Sequence, residues 1–294
     1  MGLRRVLLGL LGLGAAGAAL GLLITRPQTV DAATFASLTG DAARGEQIYW
    51  STGCASCHAA EGDNTKTILS GGHRLASDFG TFVSPNISPD PTHGIGAWTL
   101  TDFANAMLEG TSPDGSHYFP AFPYASYTRM EPADVADLWA FLQTLPASAV
   151  PSEPHEIGFP FSIRAAVGGW KMLYFNEDWV GPDTAELERG RYLVEAMGHC
   201  AECHTPRDAL GGLQTDRWMA GAPNPSGSGN IPGLTPTQLS WSESDIAYYL
   251  ETGFTPDFDS AGGTMGSVIR NLAKLPPEDR EAIAAYIKAL APAE

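Results

Sequence analysis

Two copies of one pentapeptide limit what this chain can become: Cys54-Ala55-Ser56-Cys57-His58 and Cys200-Ala201-Glu202-Cys203-His204. C-x-x-C-H is a covalent haem attachment site. The two thiols add to the two vinyl groups of the porphyrin, and the adjacent imidazole takes the iron as proximal ligand. Cys54, Cys57, Cys200 and Cys203 are therefore expected to hold two haem c groups, with His58 and His204 on the two irons. These are the only four cysteines in the chain. None remains for a disulfide, a catalytic thiolate or thiolate ligation of haem. Structural zinc is also excluded, because no further cysteine pair completes a tetrahedral site.

The length of 294 residues leaves room for two domains. Asp and Glu number 33 against 17 Lys and Arg, for a net charge of −16. With only Lys66, Lys171, Lys274 and Lys288 as lysines, nucleic-acid binding is excluded. An acidic surface suits either a basic partner face or simple solubility.

At the N-terminus, Arg4 and Arg5 precede an apolar run from Val6 to Ile24 with no charged side chain. As a helix this run spans about 28 Å, close to the hydrocarbon thickness of a bilayer. Basic residues on its N-terminal flank put that end on the cytoplasmic side. A signal peptide is the competing reading, but its apolar region is usually shorter, roughly 7–15 residues. Val30-Asp31-Ala32 is a passable cleavage site, yet it lies well past the run. An uncleaved anchor in the inner membrane of a bacterium is expected, with the haem domains in the periplasm. Either reading exports the rest of the chain, and c-type haem is attached outside the cytoplasm.

The sequence repeats around the two motifs. Asp41 to Trp50 precedes the first and Thr184 to Leu193 the second, with Asp41 and Thr184 as N-cap candidates. Each stretch reads as a short helix running into Gly53 or Gly198. The pairs Arg44-Gly45 and Arg189-Gly190 stand one residue out of step relative to the motifs. Gly71-Gly72 and Asn86-Ile87 follow the first motif, and Gly211-Gly212 and Asn230-Ile231 the second. Then come Trp98, Asp102, Gly110 and Pro113-Asp114, at the same spacing as Trp241, Asp245, Gly253 and Pro256-Asp257.

Each half closes with an amphipathic helix opened by proline and aspartate. Val135, Leu138, Trp139, Leu142 and Leu145 form one apolar stripe, and Ile283, Tyr286, Ile287 and Leu290 the other. No alternating strand pattern is visible, so an all-α fold is expected. The expected organisation is an anchor at 1–35, a first domain at 36–150, a strap at 151–183 and a second domain at 184–294. The strap carries Phe159, Phe161, Ile163, Trp170, Leu173, Tyr174, Phe175 and Trp179. That is too much apolar surface for a solvated linker, so it should pack between the domains. A partner or membrane contact is the alternative.

An electron-transfer haem fills both axial positions, and a methionine in the sixth raises the potential relative to histidine. Met130 and Met265 both lie shortly before a closing helix and are the expected sixth ligands. Met107 reads as core and Met172 as part of the strap. Met197 precedes its motif too closely to reach the far face, and Met219 reads as a loop residue. His117 is the rival to Met130. His73, His93, His155 and His199 read as solvated, with His199 on the surface.

These features together resemble the class I c-type cytochromes, as two tandem domains covering residues 40–148 and 184–292. A closer likeness is carried by Gly80 to Ile87, Gly94 to Trp98, Phe119 to Tyr124, and Gly198 to Arg207 with Gly211-Gly212. These runs resemble the cytochrome subunits of membrane-bound alcohol, aldehyde and sugar-acid dehydrogenases. Such subunits accept electrons from quinoprotein, flavoprotein or molybdenum dehydrogenases and pass them to ubiquinone or an oxidase. They usually carry three haem domains, whereas this chain has two.

The resemblance implies a membrane-anchored periplasmic dihaem cytochrome c that relays single electrons and is not itself an enzyme. A dehydrogenase would be its donor. An oxidase, a cytochrome bc complex or the quinone pool would be its other partner. A tightly bound subunit of a dehydrogenase complex is the alternative. A dihaem peroxidase is opposed by candidate methionines on both irons.

Overall fold

The computed structural model describes residues 2–292 apart from Ser226 and Ser228. Met1, at the start of the expected anchor, and Ala293 and Glu294, at the end of the expected second domain, lie outside the described residues.

The first half holds α2 (Ala32–Ala36), α3 (Ala42–Ser51), α4 (Cys54–His58), α5 (Leu100–Glu109), α6 (Tyr124–Tyr127) and α7 (Pro132–Leu142). The second holds α9 (Glu188–Arg191), α10 (Ala201–His204), α11 (Glu243–Thr252), α12 (Gly263–Leu272) and α13 (Pro277–Lys288). Helix α1 (Gly2–Ile24) precedes the first half and α8 (Ala166–Tyr174) lies between the two. The fold is mostly helical but not wholly so. Strands β1 (Arg74–Ser77), β2 (Gly80–Val83) and β3 (Glu156–Ile157) form an antiparallel sheet, and β4 (Ala222–Pro223) pairs with β5 (Asn230–Ile231). Strands of two to four half-covered residues are too short to leave an alternating signature.

In each half the helix before the haem motif crosses the closing helix at a glycine. A Cβ on Gly45 would lie 2.0 Å from the Asp137 carbonyl oxygen, and one on Gly190 would lie 2.1 Å from that of Ala282. The neighbouring arginine grips a buried aspartate on the closing helix. Arg44 reaches Asp137 through Nε at 2.7 Å and Nη2 at 3.0 Å. Arg189 reaches Asp279 through Nε and Nη2, both at 2.8 Å. Such two-point guanidinium–carboxylate contacts fix angle as well as distance.

The one-residue slip between the two Arg-Gly pairs has a physical cause. After α9 the backbone widens into a π-helix over Tyr192–Met197. A π-helical turn absorbs one extra residue without ending the helix. The second helix also starts later than the sequence suggests: Thr184 lies in a turn, and α9 begins at Glu188 with no side-chain cap.

Helices α5 and α11 both open on reciprocal capping boxes, Thr99 with Asp102 and Ser242 with Asp245. Both end on a left-handed glycine, Gly110 or Gly253. Each then turns through a matched bridge, Thr111 with His117 and Phe254 with Ser260.

The segment between the halves touches both of them. Lys171 Nζ donates to the last carbonyls of α5, Glu109 and Gly110, where a cation also meets the negative end of the helix. Trp170 Nε1 donates to the Leu210 carbonyl at 3.2 Å, and Tyr174 OH to Asp208 at 2.7 Å. The buried Glu195 carboxylate accepts Val180 N and Gly181 N, each at 2.9 Å, and the Tyr286 hydroxyl. The segment is incompletely covered all the same: Phe159, Phe161, Ile163, Met172 and Leu173 are exposed.

Candidate haem sites

Each motif forms one helical turn, entered in the first half through the left-handed Gly53. His58 Nδ1–H donates to the Pro85 carbonyl at 2.8 Å, and His204 Nδ1–H to the Pro232 carbonyl at 2.7 Å. A carbonyl can only accept, so Nδ1 carries the proton and Nε2 keeps its lone pair for a metal. Burial lowers both imidazole pKa values, which favours the neutral ligand form.

The carbonyl of each histidine is held as well. Gly71 N reaches His58 O at 2.9 Å, and Gly221 N reaches His204 O at 2.7 Å. Ile87 N bonds Leu69 O at 3.0 Å, and Leu234 N bonds Met219 O at 2.8 Å. Leu69 and Met219 are fully buried. The histidine-side loops therefore correspond as Leu69 to Met219, Gly71 to Gly221, Pro85 to Pro232 and Ile87 to Leu234.

This corrects the sequence pairing of Gly71-Gly72 with Gly211-Gly212, because the second loop runs longer before its glycine. Gly211 instead packs under the Phe79 ring. Asn86 is buried and donates to the Ser148 and Val150 carbonyls, whereas Asn230 is exposed in β5. Pro85 and Pro232 carry the histidine contacts, and sequence reasoning missed them. Their only signal was a proline beside each Asn-Ile pair, on opposite sides of it.

No disulfide links the four thiols. Burial pushes Cys54 and Cys57 up to about 11 and Cys200 to about 12. As free thiols they would stay protonated and unreactive, which is wrong for a nucleophilic cysteine. Two paired thiols beside a neutral imidazole of fixed tautomer suit covalent haem in both halves.

The candidate sixth ligands are not equivalent. Tyr118 N bonds Gly110 O just as Ala261 N bonds Gly253 O, each at 2.8 Å. Carried four residues on, this register sets Phe122 opposite Met265, in the first turn of α12. Met130 sits two residues before Pro132 and is buried, as Leu275 is before Pro277. Met130 N bonds Tyr127 O and Leu275 N bonds Leu272 O in matching turns. The two methionines thus hold different places in the duplicated plan. His117 uses one ring nitrogen elsewhere: its Nε2 donates to the Thr25 carbonyl at 2.8 Å.

The two halves meet beside the motifs. Asn271 Nδ2 on α12 donates to Ser56 Oγ, inside the first motif, at 2.8 Å. Tyr127 OH on α6 donates to the Thr52 carbonyl at 2.9 Å. The His199 ring, expected on the surface, packs edge-on to Tyr127 at 5.7 Å, with Nε2 3.3 Å from the same Thr52 carbonyl. Ser51 Oγ lies 3.2 Å from Met197 Sδ. The Cys57 thiol, raised first by burial and then by Cys54, is raised further by Cys203 across the interface.

The Cytochrome c family model matches residues 42–146 and 187–291, once in each half. The chain belongs to the cytochrome c family. A "Diheme cytochrome c-type" protein of Cereibacter sphaeroides is 57% identical over 290 residues, covering 97% of this chain and 98% of that one. The fructose dehydrogenase cytochrome subunit of Gluconobacter japonicus is 36% identical over 84% of this chain and 52% of its own length. A nicotinate dehydrogenase subunit of Pseudomonas putida is 37% identical over 84% of this chain and 21% of its own. The chain thus spans nearly all of the first relative, about half of the second and a fifth of the third. It is a tandem dihaem cytochrome c that carries two covalently bound haem c groups and transfers electrons.

Proposed function

We propose that this chain is anchored in the cytoplasmic membrane by α1, with both haem domains on the periplasmic face, and relays electrons from a membrane dehydrogenase towards the respiratory chain. When bound, each haem cycles between ferric and ferrous iron and carries one electron. The observation behind the relay is that the two halves touch beside the motifs, at Ser56–Asn271 and Thr52–His199. Electron transfer weakens steeply with distance, and these contacts hold the two attachment sites together while leaving the outer flank of each half for a partner. The likeness to dehydrogenase subunits supports a dehydrogenase donor. An oxidase, a cytochrome bc complex or the quinone pool completes the relay on the other side. Helix α1 supports the anchor through its length, its apolar composition and its exposure.

Purification of the tagged chain from native membranes in mild detergent tests the donor. The expected result is stoichiometric recovery of a flavin, quinoprotein or molybdenum dehydrogenase. Recovery only with a terminal oxidase or bc complex would overturn that donor.

Met265 is proposed as sixth ligand of the second iron and Met130 of the first, each reached by its own route. In Met265→Leu and in Met130→Leu, half of the methionine-to-iron charge-transfer absorption of the oxidised protein should vanish, and one potential should fall. An unchanged spectrum in either variant removes that residue from its iron. The same series tests a peroxidase: an iron with an open sixth site in the untreated protein would bind carbon monoxide when reduced.

A further inference from the structure

We propose that the exposed apolar flank of α8 and the loop before it sits in the outer leaflet of the bilayer, beside the point where α1 leaves it. This rests on α1 being the membrane anchor.

Thr25, the residue after α1, is locked to the head rather than tethered by a loose linker. Its carbonyl accepts from His117 Nε2 at 2.8 Å, and α8 packs so closely that a Cβ on Gly168 would lie 2.2 Å from the same oxygen. The next residues are pinned too. Thr111 Oγ1 donates to Gln28 O at 2.7 Å, and Val30 N donates to Asn105 Oδ1 at 2.8 Å. A spanning helix ends at the membrane interface. A helix touching that end lies at the same level, since a helix is only about 10 Å across.

The side of α8 turned away from the head is apolar. Ala165, Ala166, Met172 and Leu173 are exposed at helical spacing, with Met172 at 64% and Leu173 at 66%. Phe159, Phe161 and Ile163 extend the surface upstream, Phe159 at 84% exposed. Leu210, whose carbonyl takes the Trp170 indole, carries it onto the second half.

Charge points to the same occupant. Residues 158–176 contain no Asp or Glu, although such residues make up 33 of 294 in the chain. That is one in nine, so nineteen residues would hold two on average. The two basic residues of the stretch turn to the head, Arg164 Nε donating to the His117 carbonyl and Lys171 Nζ to those of Glu109 and Gly110, while the exposed Arg26 stands just past α1. An apolar surface free of acids, with Arg26 at its α1 edge, matches an anionic bilayer surface. Seated this way, the head cannot swing about α1, and one fixed flank spans both halves at the membrane.

The full chain, in nanodiscs made with a diazirine-bearing phospholipid, tests this by photolabelling and peptide mapping. Lipid adducts are expected on α1 and on the 159–173 segment, the latter several-fold above those on the polar helix α11. Adducts on α1 alone would overturn the seated flank and leave the anchor standing. Adducts on neither would remove the anchor as well. Repeating the labelling in native membranes separates lipid from protein. Loss of the 159–173 adducts there, with those on α1 retained, would show a protein covering the flank and overturn the proposal.

Discussion

Replacing both thiols of the first motif, Cys54→Ser with Cys57→Ser, should lower the haem content from two per chain to one and unfold the first domain. The cost is large because the haem is part of the core. Leu69, Phe103, Met107, Met130, Val135 and Leu138 are buried in one apolar cluster that includes Ala55 of the motif. Without the porphyrin these side chains line a void, and His58 is left to hold a group that is no longer covalently attached. Losing a metal centre and opening a core cavity both belong to the far tail of substitution effects, beyond about 4–5 kcal/mol.

The damage should cross the interface, because α4 anchors Asn271 through Ser56. The second domain keeps its own haem and its own core, so its loss should be smaller. Haem-to-protein stoichiometry with a melt followed by circular dichroism checks both parts. Two retained haems, or an unshifted melt, would show that the first motif is not what holds this domain.

Much of this site was legible in the sequence. The cysteine–histidine pattern and the tandem plan are set by local chemistry: five residues in a row carry the candidate ligand set, and turn residues such as Gly110 and Gly253 need left-handed backbone wherever they occur. What escaped was whatever depends on loop length. The Pro85 and Pro232 carbonyls reach their histidines from loops of different lengths, so no constant offset links them.

The distal register failed for the opposite reason. Counting back from the closing helix aligns Met130 with Met265 only loosely. The hydrogen-bonded turns at Gly110 and Gly253 fix the count and set Phe122 there instead. The contacts between halves left no periodic trace at all. His199 looked solvated because it directly precedes Cys200 with no partner close in sequence, but its neighbours in space are Thr52 and Tyr127.

Gly45→Ala and Gly190→Ala, the smallest changes available at those positions, should each cost about 2 kcal/mol or more. Alanine brings a helix propensity gain of roughly 1 kcal/mol over glycine. At these two sites it also drives a methyl carbon to 2.0 Å from Asp137 O or 2.1 Å from Ala282 O. Backbone cannot give way as a side-chain tip can, so the helices must separate. Overpacking typically costs about 1–3 kcal/mol and occasionally more; a clash with backbone this close belongs at the upper end, which outweighs the propensity gain.

Separation also stretches the guanidinium forks, Arg44 on Asp137 and Arg189 on Asp279, each of which leaves a buried carboxylate behind. For domains of this size, 2 kcal/mol lowers the melting temperature by about 8–16 °C. Gly169→Ala on α8, where a new Cβ meets nothing within 4 Å, is the matched control and should be neutral or slightly stabilising. Thermal melts of the three haem-loaded variants decide the matter. Equal melting temperatures would mean that the glycines are not what sets the crossing. A drop confined to Gly45→Ala and Gly190→Ala would show that both halves are closed by the same helix crossing, with the π-turn at Tyr192–Met197 making up the residue that separates them.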